Sequence, residues 1–183
     1  LSLPIGDRVD IKAIVVLATG RKSSVYTATY LRRPWRAAEP EPKDKRAGVT
    51  YGLLSWRSDG VAEPFVTSGE TRSLGFQQFA KGSTLTKPFA VTFNGYFNAP
   101  ADAIYEFQVE STYSAAIDID GFALIDDTGT PARKIRSAVV PLKAGLHKIY
   151  LRYNNGGGEP FWRVRWALKG QNWRNLGGGE LVH

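Results

Sequence analysis

The 183-residue chain has no cysteine and no methionine. Without cysteine there is no disulfide, no thiolate metal ligand and no cysteine nucleophile. Without methionine, even at position 1, the chain reads as a fragment of something longer. Histidine is nearly absent too: His147 lies inside a strand-like run, Leu146 to Leu151, and His183 is the terminal residue, so a Ser–His–Asp relay has no well-placed base. No cluster of histidines and carboxylates has zinc spacing, and no glycine-rich phosphate loop with its lysine is present. No apolar run approaches the roughly 18 residues that cross a bilayer as a helix. Helical periodicity is also missing; the nearest candidate, Leu74 to Lys81, amounts to one or two turns.

Charge is moderately basic, with 24 Lys and Arg against 17 Asp and Glu, a net +7. The positive charges are scattered. The densest groups, Arg32-Arg33-Pro34-Trp35-Arg36 and Arg163-Val164-Arg165, are too short for a nucleic-acid stripe, and a solvated surface with no nucleic-acid partner is expected.

What the chain does have is period-two alternation. Phe89, Val91 and Phe93 alternate with Ala90, Thr92 and Asn94; Tyr105, Phe107 and Val109 with Glu106, Gln108 and Glu110; Ala115, Ile117 and Ile119 with Ala116, Asp118 and Asp120. Expected strands are 9–17, 23–31, 49–56, 63–66, 88–96, 103–110, 115–119, 122–125, 135–141, 146–153 and 161–168. On the last of these, Trp162, Val164 and Trp166 share one face, taken as core. Residues 34–47 combine prolines with mixed charge and read as an extended linker. Asn154 to Gly158 reads as a loop, and Gly177-Gly178-Gly179 as a flexible or tightly turning segment. Many short strands between turn signals predict an all-β antiparallel sandwich or barrel.

Candidate chemistry rests on carboxylates and aromatics. Asp118, Asp120, Asp126 and Asp127 cluster in sequence, with Asp118 and Asp120 expected on one face. Asp120-Gly121 has the composition of a tight hairpin turn, and Asp126-Asp127-Thr128-Gly129 reads as another. Glycoside hydrolysis needs two carboxylates across a cleft, and turns explain these four better. Tyr113, Trp35, Trp56 and Trp173 are candidates to stack on sugar rings.

The stretch from Phe89 to Gly121, FAVTFNGYFNAPADAIYEFQVESTYSAAIDIDG, resembles the protective-antigen-type domain found in glycosidases, glycosyltransferases and adhesins. The resemblance runs through Gly95-Tyr96, Tyr105-Glu106-Phe107, Asp118-Ile119-Asp120-Gly121, Ala144-Gly145-Leu146-His147, Gly156–Gly158 and Trp166, over residues 48 to 183. It implies a β-sandwich in which Gly95, Tyr96, Asp120, Gly121, His147 and Trp166 are structural. Sugar-binding adhesins of this family hold calcium with two consecutive aspartates; in the same frame here stand Thr112-Tyr113. The resemblance therefore implies no metal and no cofactor. Residues 11–30 and the ending Leu181-Val182-His183 resemble, more narrowly, the end of a bacterial β-N-acetylhexosaminidase of glycoside hydrolase family twenty.

The expected organisation is a hairpin over 1–33 that closes a preceding small sandwich, a linker over 34–47, and the main β domain over 48–183. The expected role is a non-catalytic accessory module of a secreted, periplasmic or cell-envelope glycosidase. It would bind glycan weakly or pack against its own parent's catalytic domain. Tyr113, Thr112, Asp118, Asp126, Asp127 and Asn154 are the candidate sugar-binding residues. An autonomous calcium-dependent lectin is the alternative.

Overall fold

The computed structural model describes residues 7–55, 67–75, 88–127 and 131–183. They fall into two compact units, 1–34 and 35–183. In the first, β1 (Arg8–Ala13) and β2 (Tyr26–Leu31) form an antiparallel hairpin with Arg8 opposite Leu31 and Ala13 opposite Tyr26. Both strands are shorter than expected. Beyond Ala13 the chain leaves the ladder, and Gly20, at φ 80°, closes the turn with its N–H on the Leu17 carbonyl at 2.8 Å.

The second unit is an antiparallel β-sandwich. Its larger sheet runs in the order β4 (Thr67–Thr71), β3 (Val49–Ser55), β5 (Phe89–Ala99), β10 (Gly145–Asn155), β7 (Ser114–Ile119) and β8 (Phe122–Asp127). The smaller runs β12 (Arg174–Asn175), β11 (Trp162–Leu168), β6 (Ala103–Ser111) and β9 (Lys134–Leu142), while β13 (Leu181–Val182) pairs with the second half of β5. Among the described residues the only helical turn is a single 3-10 turn, Gly178–Glu180, so the terminal glycines turn tightly. The linker-like segment is extended and bonded along its length: Arg36 donates to Pro141 O, Glu39 to Leu146 O, and Arg46 exchanges two main-chain bonds with His183.

Alternation maps directly onto the core. Phe89, Val91, Phe93, Tyr105, Phe107, Val109, Ile117 and Ile119 are buried. Val164 and Trp166 join them, with Trp162 half-buried beside them. Phe97 of the larger sheet meets three rings of the smaller one edge-on: Tyr105 at 5.4 Å and Phe107 and Trp166 at 5.2 Å between centroids. Gly95 has to be glycine, because a Cβ there would come within 2.7 Å of the Val182 carbonyl and 2.9 Å of Val49. At that point β5 changes partner from β3 to β13.

Three strands escape the sequence reading. β4 is polar throughout and is specified by its pairing with β3, and β12 and β13 are only two residues long. The expected strand 63–66 and most of the 74–81 candidate lie outside the described residues. One reading is corrected: Asp126 and Asp127 do not turn but complete β8, where Asp127 lies opposite Ala115.

The chain changes sheet at β5–β6, β6–β7, β8–β9, β9–β10, β10–β11 and β12–β13, which gathers loops at two ends. The registers place the β6–β7, β8–β9 and β10–β11 connections together: Ser111 is opposite Lys134 and Trp162, and Ser114 opposite Asn154. Replacing Phe97 by Ala should cost about 3–5 kcal/mol, read as a lower urea midpoint; a change below about 1 kcal/mol would show that the edge-on cluster does not hold the sheets together.

Candidate carbohydrate-binding cleft

At this end the two-residue β6–β7 connection forces Tyr113 into left-handed backbone, φ 57°. Its ring lies over the glycine loop. A Cβ on Gly156 would fall 2.5 Å from the Tyr113 ring, and one on Gly158 would collide with the phenol oxygen. The glycine run is thus a seat for an aromatic ring. Thr112 locks the same loop: its hydroxyl donates to Glu159 O at 3.2 Å and accepts the Phe161 N–H at 3.0 Å. With its one proton engaged, it also accepts from the buried Tyr153 hydroxyl at 3.1 Å.

These elements enclose a cleft of about 390 Å³ lined by Thr112, Tyr113, Pro131, Arg133, Glu159, Pro160 and Phe161. Glu110, at the end of β6, sits behind it with a side chain only 8% exposed. One oxygen takes Arg133, Nε at 2.6 Å and Nη2 at 2.5 Å; the other takes Arg163, Nε at 3.0 Å with Nη2 beside it. Burial alone would raise the Glu110 pKa, but the hydrogen bonds from Arg163 and Arg133 outweigh it and hold the carboxyl below its ordinary value. The Arg133 guanidinium also stacks on Phe161, 3.5 Å from the ring centroid.

Of the six sequence candidates, Thr112 and Tyr113 line this cleft. Asp118 lies elsewhere, on the outer face of the larger sheet, in a separate concavity of about 480 Å³ with Asn94, Tyr96, Lys148 and Tyr150. Asp126 is exposed, 3.9 Å from Arg152. Asp127 is buried and its Oδ1 lies 3.3 Å from Arg136 and 3.9 Å from Lys134. Asn154 donates to the Ser114 hydroxyl at 3.4 Å. Among the stacking candidates, Trp35 carries Lys143 and Trp173 carries Arg165 over their rings, and Trp56 lies outside the described residues. Sequence reasoning missed Glu110, Arg133, Glu159 and Phe161. The signal was Arg163 facing Glu110 across β11 and β6, which becomes visible only once the register is known.

Asp118 and Asp120 do not act together. Asp120 and Gly121, at φ 51° and 71°, form the expected hairpin turn, and Asp120 leaves the alternation to meet His147 at 2.8 Å. His147 is fully buried, and its other ring nitrogen lies 2.9 Å from the Lys143 carbonyl. Both partners are acceptors, a pair that the two N–H donors of an imidazolium would satisfy together. Burial alone would lower its pKa, but Asp120 and the Lys143 carbonyl raise it above the ordinary 6.5. The residue ties the β7–β8 turn to the β9–β10 turn and is not placed for acid–base work at the cleft.

The family model described as "PA14 domain" matches residues 52–175. The chain belongs to the PA14 domain family. No curated protein matches it. Among solved structures, an anti-sigma factor domain-containing protein superposes with TM-score 0.66 at 16% identity, over 88% of this chain and 60% of that one. A subtype-switched epithelial adhesin 9 A domain from Candida glabrata, in complex with β-lactose, gives 0.62 at 14% identity, over 84% and 94%. A β-glucosidase from Kluyveromyces marxianus, in complex with glucose, gives 0.51 at 18% identity, over 66% of this chain and 15% of that one. These likenesses carry the fold.

A calcium ion of the adhesin type does not fit this cleft. Thr112 Oγ is engaged by three protein groups, Tyr113 brings no carboxylate, and Glu159 is the one acidic side chain in the lining. Among the described residues no group of three or more His, Cys, Asp or Glu is assembled for a metal. Millimolar calcium should leave the melting temperature within about 1 °C of that in chelator; a rise of several degrees would mean a carboxylate cage forms here.

The His147 tie has a pH signature. Its folded pKa exceeds 6.5, so its stabilisation is fully present below about pH 6.5 and is lost as pH rises through the higher folded value. Urea unfolding of the wild type should weaken across that window, while His147→Gln, lower by about 3 kcal/mol at pH 6, should lose the dependence. Parallel pH profiles for the two proteins would exclude the imidazolium.

Proposed function

We propose that this PA14 domain is a non-catalytic carbohydrate-binding module and that glycan enters the cleft between the β6–β7 and β10–β11 connections. The observation that carries the reading is Tyr113, held in strained left-handed backbone with its ring seated on Gly156 and Gly158 at the cleft wall. Such strain persists where the surroundings over-determine it, and it is concentrated at ligand sites. Aromatic faces at Tyr113 and Phe161, with polar groups on Arg133 and Glu159, suit a pyranose ring, which has apolar faces and a hydroxyl rim. Family membership and the lactose-bound adhesin of the same fold support the class of ligand.

In this reading the parent is a secreted, periplasmic or cell-envelope glycoside hydrolase, and the amino-terminal motif and Leu181-Val182-His183 favour a β-N-acetylhexosaminidase. The β1–β2 hairpin would then close a preceding small sandwich, residues 34–47 would connect, and residues 48–183 would form the accessory domain. The partners are glycan and the parent's own catalytic domain. Nucleic acid is not among them, and no helix among the described residues is long and apolar enough to cross a membrane.

Isothermal titration of the 183-residue chain with chitooligosaccharides, N-glycans and mucin glycans tests the binding. We expect weak heat with at least one class. Tyr113→Gly keeps the left-handed backbone and should weaken that binding about tenfold, or 1.4 kcal/mol. No heat across the panel would leave packing against the catalytic domain as the role, and unchanged affinity in the variant would move the site away from the cleft.

A further inference from the structure

Glu110 presents one carboxylate to two guanidiniums. It is buried, and each oxygen takes one arginine edge, so among the described residues one positive charge in this group of three has no counter-ion within it. That charge is not free to move. Arg133 has its Nε–Nη2 edge on Glu110 and one face on Phe161, and its side chain is still 50% exposed. Its Nη1 has no hydrogen-bond partner among the described residues, and Arg133 lines the cleft. The guanidinium is thus oriented before any ligand arrives, with its terminal edge open. A planar fork with an open edge matches a carboxylate or sulfate in two-point contact.

The surrounding charges define the anion. Arg136 and Lys134 neighbour Asp127, which they outnumber. Glu159 is the opposing carboxylate in the cleft lining. A small polyanion would meet that repulsion. A saccharide with a single acidic group would place it on Arg133 and turn hydroxyls, which are donors, towards Glu159. Phe161 and Tyr113 then face the apolar side of the ring.

Resting on the glycan-binding reading above, we propose that the cleft selects acidic saccharides, with the Arg133 guanidinium receiving the sugar's carboxylate or sulfate in place of a bound metal cation. Arg133 is the specificity-determining residue, and Glu110 and Phe161 position it.

The test compares sialyllactose, 6′-sulfolactose and lactose by titration with the 183-residue chain in the presence of chelator. Expected is about tenfold tighter binding of at least one acidic sugar than of lactose, as for one charge-assisted hydrogen-bonded contact. That preference should shrink as salt rises from about 50 to 500 mM, since the site is half exposed. Arg133→Met should abolish the preference, bringing the acidic sugars to the variant's own lactose affinity; Arg133→Lys, which keeps charge but not the fork, should retain part of it. Far-UV circular dichroism and the melting temperature establish that each variant is folded, and Tyr150→Phe on the far sheet face serves as the unaffected control. Equal affinities for lactose and both acidic sugars would overturn the inference and leave glycan binding standing. An acidic preference that survives in Arg133→Met would place the anion elsewhere and overturn it as well. No binding of any of the three sugars would overturn it together with the cleft's glycan role for this ligand class.

Discussion

The edge-on packing of Phe97 against Tyr105, Phe107 and Trp166 is the contact on which the rest of the domain depends. Each sheet alone would expose an aromatic face to water. Phe97 stands on the long central strand β5, which pairs with β3, β10 and β13, so a ring anchored there fixes both the distance between sheets and the register of the larger one. An edge-to-face ring pair adds about 0.5–1.5 kcal/mol beyond its buried area, and three such pairs converge on one side chain. Gly95, two residues before Phe97, lets Val182 and Val49 approach the same strand closely. The sandwich is therefore tightest around the β5 partner change, and its loops project from a rigid frame.

That rigidity is what permits a strained cleft. Tyr113 adopts a conformation that costs an ordinary residue roughly 1–2 kcal/mol. It is held there because β6 and β7 end in opposite sheets only two residues apart, and because Thr112 ties the facing loop through Glu159 O and Phe161 N–H. Glycine at 156 and 158 is then a consequence of the Tyr113 ring. The dependence runs from sheet packing to a short connection, from there to a left-handed tyrosine, and finally to the composition of a loop more than forty residues away.

How much of this was legible in the sequence follows from the range of each interaction. Phe89, Val91 and Phe93 announced their strand because a pleat sorts neighbours by burial. Asp120-Gly121 announced its turn because two positive φ angles favour those residue types. Asp126-Asp127 gave the wrong signal. Adjacent aspartates usually mark turns, yet here β7 continues to pair with β8 while Arg136 and Lys134 sit beside the buried carboxylate of Asp127. β4 was silent because its polar residues have no alternation to show. The cleft was half legible. Thr112 and Tyr113 stood out against the family frame, while Glu110 and Arg163, 53 positions apart, meet only through the β6–β11 register.

The replacement of carboxylates at Thr112-Tyr113 changes the kind of electrostatics this end of the domain can use. A metal site is a cage of anions that waits for a diffusible cation, and its strength depends on the supply of that cation. Here the fixed groups already include a cation, because two guanidiniums share one buried carboxylate and one of them borders the cleft. Burial of Glu110 is essential to this arrangement. An exposed carboxylate would be screened and mobile, whereas an enclosed one, held ionised by its two partners, orients both arginines at once. Removing Glu110 would leave two like charges facing each other across β6, so it stabilises the pair by keeping them apart as much as by attracting them. The aromatic face of Phe161 completes the restraint on Arg133. Charge and orientation at this side chain are thus set by two separate neighbours on different parts of the fold: Glu110 at the end of β6 and Phe161 in the loop before β11.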